Sequence, residues 1–360
     1  MKVTRKMIRK LVNEELDIMP KPRTTKLNES ALRNVIMQEM SILREEMSDE
    51  EAVGALEDRL NFDQGVADVV AFLNSDEGND PKVRKFIKGG LEDGDRSDEQ
   101  MKVNPSATPT VGDMLPTQSE IGLPNSIGYP LSKFGSLKAA MAKSGDPTGR
   151  GKKIIASGNH VIDGHHRWST RYAMAGPDAT IDAVDIALPG SNADQKLAAA
   201  QIAIVATMDS DEKGVPKASA EGLVNILGKG KNDIKSALEK IYDSGQAMDT
   251  GEPILADDYM EQVMGDSGVK NHFSISDGDD ADAARGKIID VVADNLSKLR
   301  KDDSAPVRTL MPQFDGGQTH ELDPEEVLKT AASGKVNYAS DYGVSEAANR
   351  WSKMAGILRD

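Results

Sequence analysis

The sequence predicts an α+β protein, a small mixed domain flanked by mainly helical N- and C-terminal regions. Three observations carry this reading. Short β-type runs at 153–156, 160–162 and 181–187, punctuated by glycine and proline, alternate with helical patterns at 136–143, 165–175 and 194–208. On either side of 102–208 the apolar residues recur at helical spacing instead. Hydrophobic residues make up 38% of the chain and aromatics only 4%, which implies an aliphatic core of modest size.

The elements follow in order. Residues 1–47 form a repeated amphipathic leader: Ile8, Leu11, Val12 and Leu16 return 24 residues later as Leu32, Val35, Ile36 and Met40. Each set falls on one helical face, and Pro20 and Pro22 separate the copies, since proline inside a helix forfeits a backbone hydrogen bond. Asn28 precedes the second copy as a cap. Such a pair suits docking on a protein partner or packing of one helix on the other. Residues 48–101 form a helical acidic segment ending in a linker near 90–101. Ser48 opens it with a capping box closed by Glu51; Val53, Leu56 and Leu60 form one stripe, and Val66, Val69, Val70 and Leu73 the next. The mixed domain occupies 102–208. Residues 209–360 are read as mainly helical, with Asp233 capping a stripe of Ile234, Leu238 and Ile241 before Gly245. Ile289, Val292, Leu296 and Leu299 make a second stripe, stopped by Asp302-Asp303-Ser304 and Pro306; the final stretch runs from Ser345 to Leu358.

Composition excludes several function classes. There is no cysteine, which removes disulfides, thiolate metal sites and cysteine nucleophiles. No run of 18 apolar residues is present and no apolar stretch follows the charged N-terminus, so the expectation is a soluble, cytoplasmic protein without a membrane role. The net charge of −15 disfavours DNA as a partner, because phosphate backbones need a concentrated positive field. The basic excess in residues 1–26 reads either as a docking arm or as a solvated helix face.

Chemistry concentrates at Asp163-Gly164-His165-His166-Arg167. Three of the five histidines (His160, His165 and His166) lie close together, amid Arg150, Lys152, Lys153, Arg167 and Arg171. Ile154, Ile155, Val161 and Ile162 read as buried positions of a hairpin turning at Ser157-Gly158-Asn159. A helix with an apolar face of Trp168, Tyr172 and Ala175 then starts after Gly164. The free N–H groups of its first turn make an anion site, Gly164 lets a phosphate approach the backbone, and Arg167 can grip it with a bidentate fork. His165, His166 and the hydroxyl of Ser169 complete the candidate phosphate-binding set, with Thr170 in reach of the same turn. Asp163 reads equally well as an ordinary N-cap. The histidines and Asp163 also suit zinc as ligand types, but their spacing matches no familiar zinc pattern, and no metal ligand is assigned.

The stretch from Ile155 to Trp168 resembles the phosphate-binding motif of the ParB/sulfiredoxin superfamily, in its Asp-Gly-His-x-Arg branch of ParB-like nucleases. Residues 115–121 resemble that family's first motif, and 194–208 the helix after its last strand, so the likeness covers about 105–208. It implies a compact α+β domain that binds a nucleotide or another phosphorylated small molecule at the helix N-terminus. Members include sulfinic-acid reductases, CTP-hydrolysing DNA-partition clamps, free-serine kinases and proposed nucleases. The absence of cysteine removes the reductase chemistry, and Asp-Gly-His-His-Arg stands where the clamps carry a Gly-Glu-Arg-Arg type motif. The remaining expectation is binding of ATP, ADP or CTP, with magnesium as a candidate companion, and phosphoryl transfer or phosphodiester hydrolysis as the chemistry. Asp163, His165, His166 and Glu120 are then the candidate acids, bases or metal-assisting groups. The competing expectation is a non-catalytic virion or adaptor protein that retains the fold. The leader resembles N-terminal segments of proteins from large tailed phages, which would place the chain in the host cytoplasm or the virion. Two decoys fail on spacing: 222–229 has five residues between its glycines and Gly230 where a P-loop needs serine or threonine, and the calcium-loop start at Asp209 has lysine at position five.

Overall fold

The structure, a computed structural model, describes residues 65–89, 102–207 and 224–310, together with 48, 50–52, 54 and 55. The leader at 1–47, the stripe residues Val53, Leu56 and Leu60, the linker at 90–101, the calcium-like segment at 209–220 and the stretch from Ser345 to Leu358 lie outside the described residues. All the elements described below belong to one compact unit, residues 48–360.

The capping box forms as read. Ser48 N–H donates to Glu51 Oε2 at 2.8 Å, and Glu51 N–H donates to Ser48 Oγ at 3.1 Å. Helix α1 (Val66–Leu73) and helix α2 (Pro81–Gly89) follow. The N-terminus of α1 has no cap of its own. Asp194, far along the chain, supplies one by accepting from Val66 N–H at 3.1 Å.

Residues 102–207 combine α and β structure on a five-stranded sheet of order β1-β5-β3-β4-β2. Its strands are β1 (Val103–Ala107), β2 (Leu115–Pro116), β3 (Ile154–Ser157), β4 (His160–Asp163) and β5 (Ala183–Ile186). β3 and β4 form the predicted antiparallel hairpin, β5 and β2 join it in parallel, and β1 is an antiparallel edge. The helices are α3 (Leu123–Ser132), α4 (Phe134–Met141), α5 (His165–Ala175) and α6 (Ala193–Thr207). The C-terminal part adds α7 (Lys231–Asp243), α8 (Asp257–Gly265), α9 (Ser267–His272) and α10 (Ala281–Leu296).

Every side chain of β3 is buried, so the sheet is covered on both faces. Side-chain alternation sorts the two cores. Ile154, Ala156, Val161 and Ala183 belong to one cluster with Ile127 of α3, Trp168 and Tyr172 of α5, and Leu238, Val263, Ile288 and Val292 of the C-terminal helices. The residues that point the other way, Ile155, Ile162, Val184 and Ile186, are buried as well, on the side of α6 and its Leu197 and Ile202. Residues 197–203 of α6, Gln201 included, are all buried because the helix is sandwiched, with the sheet on one side and α1 and α2 on the other.

Two sequence expectations change in detail, and one helix has no counterpart among them. Asp233 lies in the first turn of α7, and the N-cap is Gly230; Gly245 does take the positive φ (59°) expected just past that helix. The N-cap of α5 is Gly164 with no side-chain cap, so Asp163 does not fill that role. Helix α3 is not foreshadowed by the sequence, because Pro124, Gly128 and Pro130 all argue against a helix. Pro124 sits at its start, where the missing N–H costs nothing. Pro130 deprives the Ser126 carbonyl of its helical donor, and Thr170 Oγ1 on α5 donates to that carbonyl instead, at 2.7 Å. A tertiary bond thus replaces the missing helical one.

Candidate functional site

The site begins where β4 gives way to α5. Gly164 adopts a left-handed backbone (φ 89°), and a Cβ there would lie 2.7 Å from Ile154 Cγ2 and 2.9 Å from Arg167 Nη2. Both the dihedral and the space therefore require glycine. The first helical bond runs from Trp168 N–H to Gly164 C=O at 2.9 Å. The amides of His165, His166 and Arg167 precede it and have no carbonyl within the helix to meet. With no side-chain cap, they make the positive end of α5 available to an anion.

The two adjacent histidines are placed differently. His165 is buried, and its Nε2 accepts from Thr117 N–H at 3.1 Å. Thr117 Oγ1 donates to the Val161 carbonyl at 2.6 Å, which fixes the 117–121 loop against β4. Burial, then the nearby charges of His166 and Arg308, push the His165 pKa down to about 3, so its ring is neutral. His166 lines a cavity, but both of its ring nitrogens are buried, without a hydrogen-bond partner. Burial and the charge of Arg308 push its pKa down to about 4. It too is a neutral ring.

Arg167 lies in the same cavity wall and pairs with Asp163 at 3.1 Å, one helical turn away. Both partners are partly exposed, so this pair contributes at most about 1 kcal/mol, and Arg167 can exchange it for another anion. The cavity has a volume of about 500 Å³, within the range of small-molecule sites. Its wall draws on α3 (Asn125, Tyr129), the loop after α4 (Thr148, Arg150), α5 (His166, Arg167, Thr170) and the loop after α7 (Gln246–Thr250).

Of the residues singled out in the sequence, the structure brings His166, Arg167, Thr170 and Arg150 to this cavity, with Gly164 shaping the turn beneath the first two. Asp163 reaches it only through Arg167. Ser169 does not reach it: the side chain is fully buried, bonded to Ser126 Oγ at 2.7 Å and to the His166 carbonyl at 3.1 Å. Glu120 is exposed and does not line the cavity. His160 is tied to Asp302 at 2.8 Å, holding the segment after α10 against the start of β4. Among the described residues, no three His, Asp or Glu side chains converge as a metal site would require.

The basic excess around the motif also proves to be dispersed. Arg171 is fully buried, and its guanidinium donates to the carbonyls of Ala139, Ala140, Ala142, Ser144 and Gly145, closing the C-terminus of α4. Lys153 donates to the Pro105 carbonyl on β1. The sequence missed the wall formed by Gln246–Thr250, and no local signal marks it, since its side chains become a site only when that loop packs on α3. Ser132 Oγ and Thr250 Oγ1 meet at 2.8 Å across this contact, and Lys133 pairs with Glu252.

Comparison of the chain with protein-family models, with curated proteins and with solved structures gives no match. Among the described residues, no helix is long and apolar enough to cross a membrane.

Proposed function

We propose that the protein binds a phosphate-bearing small molecule, with a nucleotide as the leading form, on a domain of the ParB/sulfiredoxin type. One observation carries this reading: His166 and Arg167, in the uncapped first turn of α5, line a cavity of nucleotide size together with Arg150. The phosphate would take the free amides and the Arg167 fork, which gives up Asp163 to receive it. Binding has more support than catalysis. Of Asp163, His165, His166 and Glu120, only His166 lines the cavity, and its low pKa makes it a weak base. A magnesium ion would arrive on the phosphates of the ligand, as this ion commonly does. Asp249 is the carboxylate in the wall that it would meet.

The test is a thermal-shift screen of ATP, ADP, CTP and GTP, each with and without magnesium, on the wild type and on Arg167→Ala. A ligand at about 100 times its dissociation constant stabilises a fold by about 2.7 kcal/mol. The expected result is stabilisation of the wild type and a roughly ten-fold or greater loss of affinity in Arg167→Ala, since the lost bonds are to a charged group. No shift with any of these ligands, nor with tripolyphosphate, would favour the non-catalytic adaptor.

A further inference from the structure

The cavity contains an aromatic ring that the fold leaves open. Trp168, Tyr172, Tyr259 and Phe273 are at most 3% exposed, whereas Tyr129 is 43% exposed and lies in the cavity wall. The Arg150 guanidinium lies over this ring, 5.3 Å from its centroid. That placement is built by the loop after α4. Asp146 accepts from Thr148 N–H at 2.8 Å, Thr148 Oγ1 at 2.6 Å, Arg150 N–H at 2.8 Å and Lys152 N–H at 3.0 Å. Burial alone would raise the pKa of Asp146, but these bonds outweigh it and keep the carboxylate charged. Four bonds from one carboxylate fix the loop that presents Arg150. The neighbouring wall is closed by Met248, whose Cε would be 3.1 Å from a Cβ at position 128, so Gly128 lets it approach α3 beside Tyr129.

We infer that Tyr129 and Arg150 form a stacking platform for a planar ring of the ligand. This rests on the phosphate-binding reading above and adds what Arg167 and the α5 amides do not read. Aromatic and guanidinium faces both take stacked rings. The ligand class is therefore an anion joined to a flat heteroaromatic group, rather than a free phosphate or a phosphorylated aliphatic molecule.

The experiment is titration calorimetry of ATP, CTP and tripolyphosphate against the full-length wild type, Tyr129→Ala and Tyr129→Phe. Tyr129→Ala should weaken the better nucleotide roughly 5- to 150-fold, the loss expected for one stacked base, and leave tripolyphosphate within about two-fold. Tyr129→Phe should retain both affinities, because the platform needs the ring and not the hydroxyl. An equal loss for nucleotide and tripolyphosphate would assign Tyr129 a merely structural role and overturn the inference. So would wild-type protein that binds tripolyphosphate as tightly as either nucleotide. Wild-type protein that binds none of the three overturns the phosphate-binding reading itself, which separates the two failures.

Discussion

Gly158 and Gly164 allow the construction of the β4–α5 turn to be tested by difference. Both have positive φ, 59° and 89°. A Cβ at Gly158 would meet nothing within 4 Å, whereas one at Gly164 would strike Ile154 Cγ2 at 2.7 Å and the Arg167 guanidinium at 2.9 Å. Arg167 is long enough to move aside, but Ile154 is fully buried on β3 and has nowhere to go. Gly158→Ala should therefore cost only the left-handed backbone penalty, about 1–2 kcal/mol. Gly164→Ala carries that penalty plus overpacking of about 1–3 kcal/mol, for a total of roughly 2–5 kcal/mol. Urea unfolding of both variants measures the difference directly. At a slope of about 3 kcal/mol/M, the two midpoints should differ by roughly 0.3–1 M, with unchanged slopes. Equal midpoints would show that Ile154 yields freely, and the argument that space as well as dihedral demands glycine would fall.

Three further outcomes follow from the same contacts. Arg171→Met should destabilise the protein by about 2–3 kcal/mol or more in urea unfolding, because five carbonyls lose their charged donor; a loss under about 1 kcal/mol would contradict the cage. Thr170→Val should cost about 1–3 kcal/mol, since the Ser126 carbonyl facing Pro130 is left without a donor; thermal unfolding of Thr170→Ser, which keeps the hydroxyl, is the control. The pH dependence follows from His165 and His166, whose folded pKa values of about 3 and 4 lie below the ordinary 6.5. Below 6.5 the unfolded chain binds more protons than the folded one, so stability falls as the pH drops from 6.5 towards 4 and is fully present above 6.5. Between about pH 6.5 and 5 the two rings together should cost about 3 kcal/mol, and the double variant His165→Gln/His166→Gln should flatten that slope. An identical slope in wild type and variant would show that the rings are not held neutral.

The sequence is most legible where structure is local. The hairpin, its turn at Gly158 and the helix from His165 to Ala175 form one short continuous stretch, and their apolar positions alternate or recur on one face. Strand β2 escapes because it is two residues long and is recognisable only through its parallel pairing with β4. Strand β1 carries Pro105 and mostly exposed side chains, so it lacks an alternating pattern. Arg171 reads in the sequence as one of the motif's basic residues, yet its charge is spent inside the protein on the end of α4. Nothing in the spacing distinguishes it from Arg167, one helical turn earlier; only the fold turns one inward and the other to the cavity.

The same contrast explains how the candidate site acquires its charge. Two histidines beside a candidate anion site invite the reading that they supply positive charge, but both are neutral, and His165 is committed to Thr117. The cationic character comes instead from Arg167, Arg150 and the uncapped end of α5. Arg150 belongs to a stretch that carries no motif and is positioned by Asp146, and a further part of the wall is contributed by the loop after α7. A motif on one helix terminus can hold a phosphate by itself, but selectivity needs surfaces that contact the rest of the ligand. On the proposed reading those surfaces would be Tyr129, Arg150 and Gln246–Thr250, which line the same cavity as His166 and Arg167. Residues 246–250 of the C-terminal part thus form one wall of the candidate site, although the sequence there reads only as helices and acidic loops.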